Sequence, residues 1–226
     1  VDHQTQEVVG IEALVRWNHS ELGRVSPAQF IPMSEELGLI VDIDTWVLNT
    51  ACQQRRIWLD AGVECGPISV NISALHFNHD LVYSVQQALE NSCLPPHLLE
   101  LEITEGTVMD SPQEAINTMH QIRSMGIHLS LDDFGTGYSS LAYLKKFPLN
   151  TLKIDKAFVD DIEHSEQGRN MVATIVTIAH NLELSVVAEG VESSKQLEFL
   201  AELGCEQLQG YLYSKPLAET DFEKYL

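Results

Sequence analysis

The run "HLSLDDF" at 128–134 alternates apolar and polar residues like a half-buried strand, yet it closes on two adjacent aspartates, Asp132 and Asp133. Two neighbouring carboxylates repel, so a chain that keeps them at a strand end needs a counter-charge there. Other strand-like runs each carry one polar residue at or near their end: Glu12, Asn71, Glu102, Lys153, Glu189 and Gln209. From Glu12 through Asp132 to Gln209 the intervals are 59, 31, 30, 21, 36 and 20 residues, mostly near the roughly 30 of one strand–helix–strand step. If the strand ends converge, the carboxylates and one amide meet. A divalent cation removes their repulsion, and all-oxygen ligation by Asp, Glu and Asn suits Mg²⁺, Mn²⁺ or Ca²⁺. The Asp132–Asp133 pair could serve two ions about 3.5–4 Å apart, a common arrangement for phosphoester hydrolysis.

Each residue also has a plainer reading. Asn71 could cap a loop, and Glu102 and Glu105 could be outward charges on an edge strand. The two aspartates could cap a turn before Gly135. Lys153 could pair with Asp155. Glu189 and Glu192 follow a buried run, and Gln209 alone is weak. The shared position near strand ends carries the weight. Arg16 lies four residues after Glu12, and on one strand both would share a face. It could grip a phosphate bidentately or pair with a neighbouring carboxylate. His76 and His79 have zinc-like spacing but fall where a helix should begin, so surface positions are expected.

The elements that must position these groups are legible. Strand-length, β-rich runs span 9–17, 67–73, 98–104, 128–134, 151–156, 183–190 and 206–213. Helical patterns fill 44–62 and 165–182. Capping boxes are expected at Ser26–Pro27–Gln29, Ser111–Pro112–Glu114 and from Ser193, with Gly204 closing that last helix. Alternation along the whole chain predicts an α/β fold with a parallel sheet, a (β/α)₈ TIM-like barrel in the first place. Seven strands are visible, so an eighth would be short or lost upstream. A doubly wound sheet is the alternative, but no glycine-rich phosphate loop follows the first strand.

The 226 residues carry 13 basic against 33 acidic side chains, a net charge of −20. That disfavours DNA binding and docking on an anionic membrane. No run is long enough to insert in a membrane and no signal peptide opens the chain. Cys52, Cys65, Cys93 and Cys205 are widely spaced with no CxxC, which predicts reduced thiols and a cytoplasmic domain.

The ordered motifs "EALVRW" (12–17), "SPAQFIP" (26–32), "NIS" (71–73), "EITE" (102–105), "DDFGTGYSSL" (132–141), "LKIDKAFV" (152–159), "AEGVE" (188–192) and "QGYLYSKP" (209–216) closely resemble the EAL-domain family of cyclic-di-GMP phosphodiesterases, over essentially the whole of 1–226. The resemblance implies a barrel whose first strand runs antiparallel, and hydrolysis of one phosphodiester of cyclic di-GMP to linear pGpG. It implies Mg²⁺ or Mn²⁺ as cofactor, with Ca²⁺ inhibitory. By position, Glu12, Asn71, Glu102 and Asp132 resemble the ligands of one metal; Asp132, Asp133 and Glu189 resemble those of a second, Asp132 bridging. Lys153 is similar to the residue that orients or deprotonates the attacking water. Arg16 resembles a phosphate contact, Leu14 a residue lining the substrate groove, and Asp155 and Gln209 fall with the substrate contacts. Glu105 resembles the residue that steadies the loop after Asp133, and that loop, 134–140, the family's mobile segment. A homodimer formed near 138–160, and a place at the C-terminal end of a longer protein with sensory or cyclase domains, are further family expectations. The family's Tyr-Gln-Pro stretch would lie just before Val1, and Gly106 replaces a usual Ser or Thr. The alternatives are a module that binds cyclic di-GMP without cleaving it, or an inactive partner-binding domain. Members of the first kind usually lack several ligand positions, and none is missing here.

Overall fold

The structure is a computed structural model and describes residues 1–135 and 141–226. Seven parallel strands form one curled sheet in chain order: β1 (Ile11–Ala13), β4 (Ile68–Ile72), β5 (Leu99–Thr104), β6 (His128–Phe134), β7 (Thr151–Ile154), β8 (Ser185–Ala188) and β9 (Gln207–Leu208). A separate antiparallel ribbon pairs β2 (Trp17–His19) with β3 (Gly23–Val25). Alternation explains the sheet's two faces. Leu99, Leu101 and Ile103, then Leu129 and Leu131, then Leu152 and Ile154, are all fully buried against the helices. The other face of the same strands carries Glu100 and Glu102, Ser130 and Asp132, and Lys153. The helix Ile40–Asp60 answers with Leu48, Ala51, Cys52 and Trp58 at helical spacing, and Glu166–Asn181 with Val172, Ile175, Val176 and Ala179. Burying each large apolar side chain contributes roughly 1.5–3 kcal/mol. The architecture is a TIM-like barrel.

The chain start pairs with the last strand of the sheet. Val1 and Leu208 exchange backbone hydrogen bonds at 3.0 and 2.9 Å, and Asp2 pairs antiparallel with Gln207. The Asp2 N–H donates to the Glu7 carbonyl and turns the chain towards β1. The expected antiparallel first strand is thus reduced to an isolated bridge at Asp2.

Several elements are shorter than their sequence patterns. The run 9–17 does not stay in the sheet: β1 ends at Ala13, and Trp17 packs edge-on against Phe30 at 5.8 Å, drawing the chain into the β2–β3 ribbon. Arg16 therefore does not share a strand with Glu12. The run 206–213 shrinks to Gln207–Leu208 because Tyr213 and Ser214 turn back onto the Gly210 carbonyl. At Gly210 the backbone passes so near Val191 that a Cβ would stand 2.2 Å from its carbonyl oxygen. Of the three expected capping boxes only Ser193–Gln196 is complete. Ser26 and Ser111 hold the N-cap positions, but their carbonyls, not their side chains, accept the helix N–H groups of Gln29 and Ala115. His76 is a correction too: it is fully buried, while His79 is exposed. All four cysteines are free thiols, and only Cys93 is exposed. Among the described residues no helix is long and apolar enough to cross a membrane.

Candidate active site

The parallel register lines up the polar residues at one mouth of the sheet. Asn71 stands opposite Glu102, and Thr104 opposite Asp132. Glu189 and Gln209 come directly after β8 and β9, and Glu12 sits at the centre of β1. At the middle is Lys153, only 2% exposed. Its Nζ lies 2.5 Å from Glu189, 2.7 Å from Glu102, 3.8 Å from Asp132 and 4.0 Å from Glu12. Lys153 therefore joins the strand-end carboxylates rather than the alternative partner, Asp155. Two amides complete the ring: Asn71 donates to one Glu12 oxygen and Gln209 to the other, each at 2.7 Å.

The electrostatics reflect one cation among several carboxylates. Burial works against charge on Glu12, but the Lys153 ammonium and the two amide donors outweigh it and hold its carboxyl below the usual range. Glu102 is the most deeply buried of the set, and burial pushes its carboxyl well up despite Lys153. Burial likewise raises Glu189 to about 7. Burial alone would lower Lys153; Glu102, Glu12, Glu189 and Asp132 together raise it well above the ordinary lysine value. The mouth is thus short of positive charge.

The paired aspartates have a backbone explanation. The β6–β7 register shifts between Leu131 and Phe134, a bulge, and Asp133 takes φ 56°, a left-handed conformation aspartate tolerates better than most residues. The bulge breaks strict alternation, so consecutive side chains can both serve the mouth. Burial and then the charges of Asp132 and Asp155 raise the Asp133 carboxyl. Its own N–H donates to Asp132 Oδ1 at 2.9 Å. Directly beyond, the Gly135 N–H donates to the buried Glu105 carboxylate at 3.0 Å. Residues 136–140 of the expected mobile segment lie outside the described residues.

Asp155 caps the helix Lys156–Asp161, accepting the Ala157 N–H at 2.9 Å. Glu192 pairs with Lys156 at 2.6 Å, off the central cluster. A groove of about 800 Å³ opens beside the mouth, lined by Glu12, Leu14, Arg16, Trp46, Glu189 and Gln209. The Arg16 guanidinium folds onto the Val15 carbonyl at 2.9 Å and meets no carboxylate among the described residues. The sequence pattern placed Lys153 among the strand-end residues of the site; that four carboxylates close on its ammonium is visible only in the fold.

Among the described residues no three His, Cys, Asp or Glu side chains frame an ion position; the Lys153 ammonium stands where their oxygens converge. The donor chemistry nonetheless fits a hard divalent cation. The site offers only carboxylate and amide oxygens, and four carboxylates share the one ammonium of Lys153.

Comparison with known proteins identifies the family. A family profile described as the EAL domain matches residues 1–216. The chain is 47% identical over 211 residues to the bifunctional diguanylate cyclase/cyclic di-GMP phosphodiesterase MucR of Pseudomonas aeruginosa, covering 93% of this chain and 31% of that protein. It is 44% identical over 221 residues to the cyclic di-GMP phosphodiesterase NbdA of the same organism, covering 97% and 28%. The chain thus spans about a third of the length of these relatives. The solved structure of the PaMucR phosphodiesterase in complex with c-di-GMP superposes with a TM-score of 0.91 at 46% identity, covering 93% of this chain and 86% of that one. By its profile match, its close relatives and its barrel, the chain belongs to the EAL domain family.

Proposed function

We propose that this domain is a phosphodiesterase that hydrolyses one phosphodiester of cyclic di-GMP to linear pGpG. The observation that carries the reading is the convergence of Glu12, Glu102, Asp132 and Glu189 within 4.0 Å of one cationic point at the mouth of the sheet. The family generally needs divalent metal ions. Mg²⁺ or Mn²⁺ would be held by Glu12, Asn71, Glu102 and Asp132 at one position and by Asp132, Asp133 and Glu189 at a second. When bound, the ions would polarise the phosphoryl oxygens and lower the pKa of the attacking water.

The chain's own groups do the rest. Glu12 is held ionised by Lys153 and steered by the amides of Asn71 and Gln209, so its geometry is preset. Lys153, its Nζ among the carboxylates that would hold the ions, is placed to orient or deprotonate the attacking water. Arg16, at the groove wall and uncommitted to any carboxylate among the described residues, is free to take a phosphate oxygen. Glu105 fixes the backbone after Asp133 through Gly135. In the reaction the water oxygen bonds to phosphorus, the P–O3′ bond breaks and the leaving 3′ oxygen gains a proton. The multidomain setting and the homodimer belong to the same proposal; the length of the relatives supports the first.

The test is turnover in H₂¹⁸O with Mn²⁺. One ¹⁸O in the 5′-phosphate of pGpG is expected from a single hydrolysis. Cyclic di-GMP that binds and is recovered intact would show a receptor instead.

A further inference from the structure

Among the described residues three carboxylates are buried, and two of them, Glu102 and Glu105, belong to the mouth already described. The third is Asp44, 6% exposed, on the helix Ile40–Asp60. Burying a carboxylate away from the reacting groups is costly unless donors meet it. Its donors are the backbone N–H of Ser73 at 3.0 Å and the Ser73 hydroxyl at 2.6 Å, both to Oδ2.

Ser73 joins β4 to the five-residue helix Ala74–Asn78. Asn71 sits two residues earlier, at the end of the strand, with its amide on Glu12. Ser73 caps the short helix, its hydroxyl accepting the His76 N–H at 3.3 Å. A helix that short does not hold itself. It is held at its start by Asp44 and along its length by the buried Phe77 and His76. The His76 Nδ1 stands 3.6 Å from the same Asp44 oxygen, and its Nε2 lies 3.0 Å from the Ser84 hydroxyl on the helix Leu81–Ser92. The turn after Asn71 is therefore anchored to one helix through a buried acid and to a second through His76.

We infer that Asp44 is a positioning residue for the metal site: by clamping Ser73 it fixes where β4 ends and so where Asn71 presents its amide to Glu12 and a bound cation. The inference rests on the functional reading above. Partners outside the ligand shell typically change metal affinity or activity about 10–100-fold when removed.

The test measures Mn²⁺ binding directly, by calorimetry or electron paramagnetic resonance, with no substrate present. Asp44→Ala is expected to weaken Mn²⁺ binding about 10-fold or more. Asp44→Asn, which keeps an acceptor oxygen facing Ser73, should recover most of that loss. Ser73→Ala, a milder change, should fall between them. Val172→Ala, a core substitution on the helix Glu166–Asn181, supplies a loss of stability without touching the clamp and should leave Mn²⁺ affinity unchanged. Wild-type affinity in Asp44→Ala, or the same weakening in Val172→Ala, would overturn the inference alone. No Mn²⁺ binding by the wild-type chain would overturn the functional reading, and the inference with it.

Discussion

Replacing Lys153 by methionine keeps most of the buried stem and removes the charge. At an effective dielectric constant of about 20, the four Nζ–oxygen distances give roughly 6 kcal/mol of gross attraction each from Glu102 and Glu189, and about 4 each from Asp132 and Glu12. Most of this is offset by burying the ammonium and by repulsion among the carboxylates. The net cost of removing one partner of a buried ionic cluster is about 3–5 kcal/mol. Without Lys153 the carboxylates can fold together only by taking up protons, so their folded pKa values rise above the unfolded ones. A raised carboxyl stabilises the folded state at low pH and loses that contribution as pH climbs. Glu189 already stands at about 7 in the wild type, so the window runs from about pH 4.5 to somewhat above 7. Urea unfolding of Lys153→Met and wild type, in EDTA, at pH 5 and pH 8, checks this. The deficit should be about 3–5 kcal/mol at pH 8 and clearly smaller at pH 5. A deficit below about 1 kcal/mol, or one equal at both pH values, would refute the clustering of these carboxylates around one cation.

The same geometry sets other expectations. Gly135→Ala places a Cβ 3.1 Å from the Phe158 ring at a φ of +94°, so it should cost about 1–3 kcal/mol in thermal unfolding, and Phe158→Leu should return only the packing part. Glu105→Ala leaves the Gly135 N–H without its acceptor and should cost about 1–3 kcal/mol with a larger fractional loss of turnover, whereas Glu105→Gln should be milder in both. Burial raises the thiols of Cys52 and Cys205 to about 12, so one fast-reacting thiol, Cys93, is expected with a disulfide reagent in the folded protein and four after denaturation.

The sequence exposed the strand periodicity, the strand order and the polar residue each strand delivers, because one apolar face per strand leaves a period-two signature. The helix Glu166–Asn181 and the box at Ser193 were equally plain, since capping is local chemistry. What stayed hidden depends on neighbours distant in the chain. Nothing local says that "EALVRW" leaves the sheet after Ala13; the contact of Trp17 with Phe30 decides it. Nothing in "LDDF" announces a bulge, because alternation survives up to Leu131. The sequence left Lys153 open between the site and a pair with Asp155 two residues away, and only the assembled barrel brings Glu12 to it from a distant part of the chain. His76 looked exposed because its burial comes from helices 40–60 and 81–92 folding over it.

The most direct measurement is pGpG formation from cyclic di-GMP as a function of Mn²⁺ concentration, for the wild-type domain and for Glu12→Gln. The account predicts saturable, EDTA-reversible turnover in the wild type and a loss of at least about 100-fold in Glu12→Gln, with folding intact. Turnover that persists in excess EDTA, or an undiminished rate in Glu12→Gln, would contradict it.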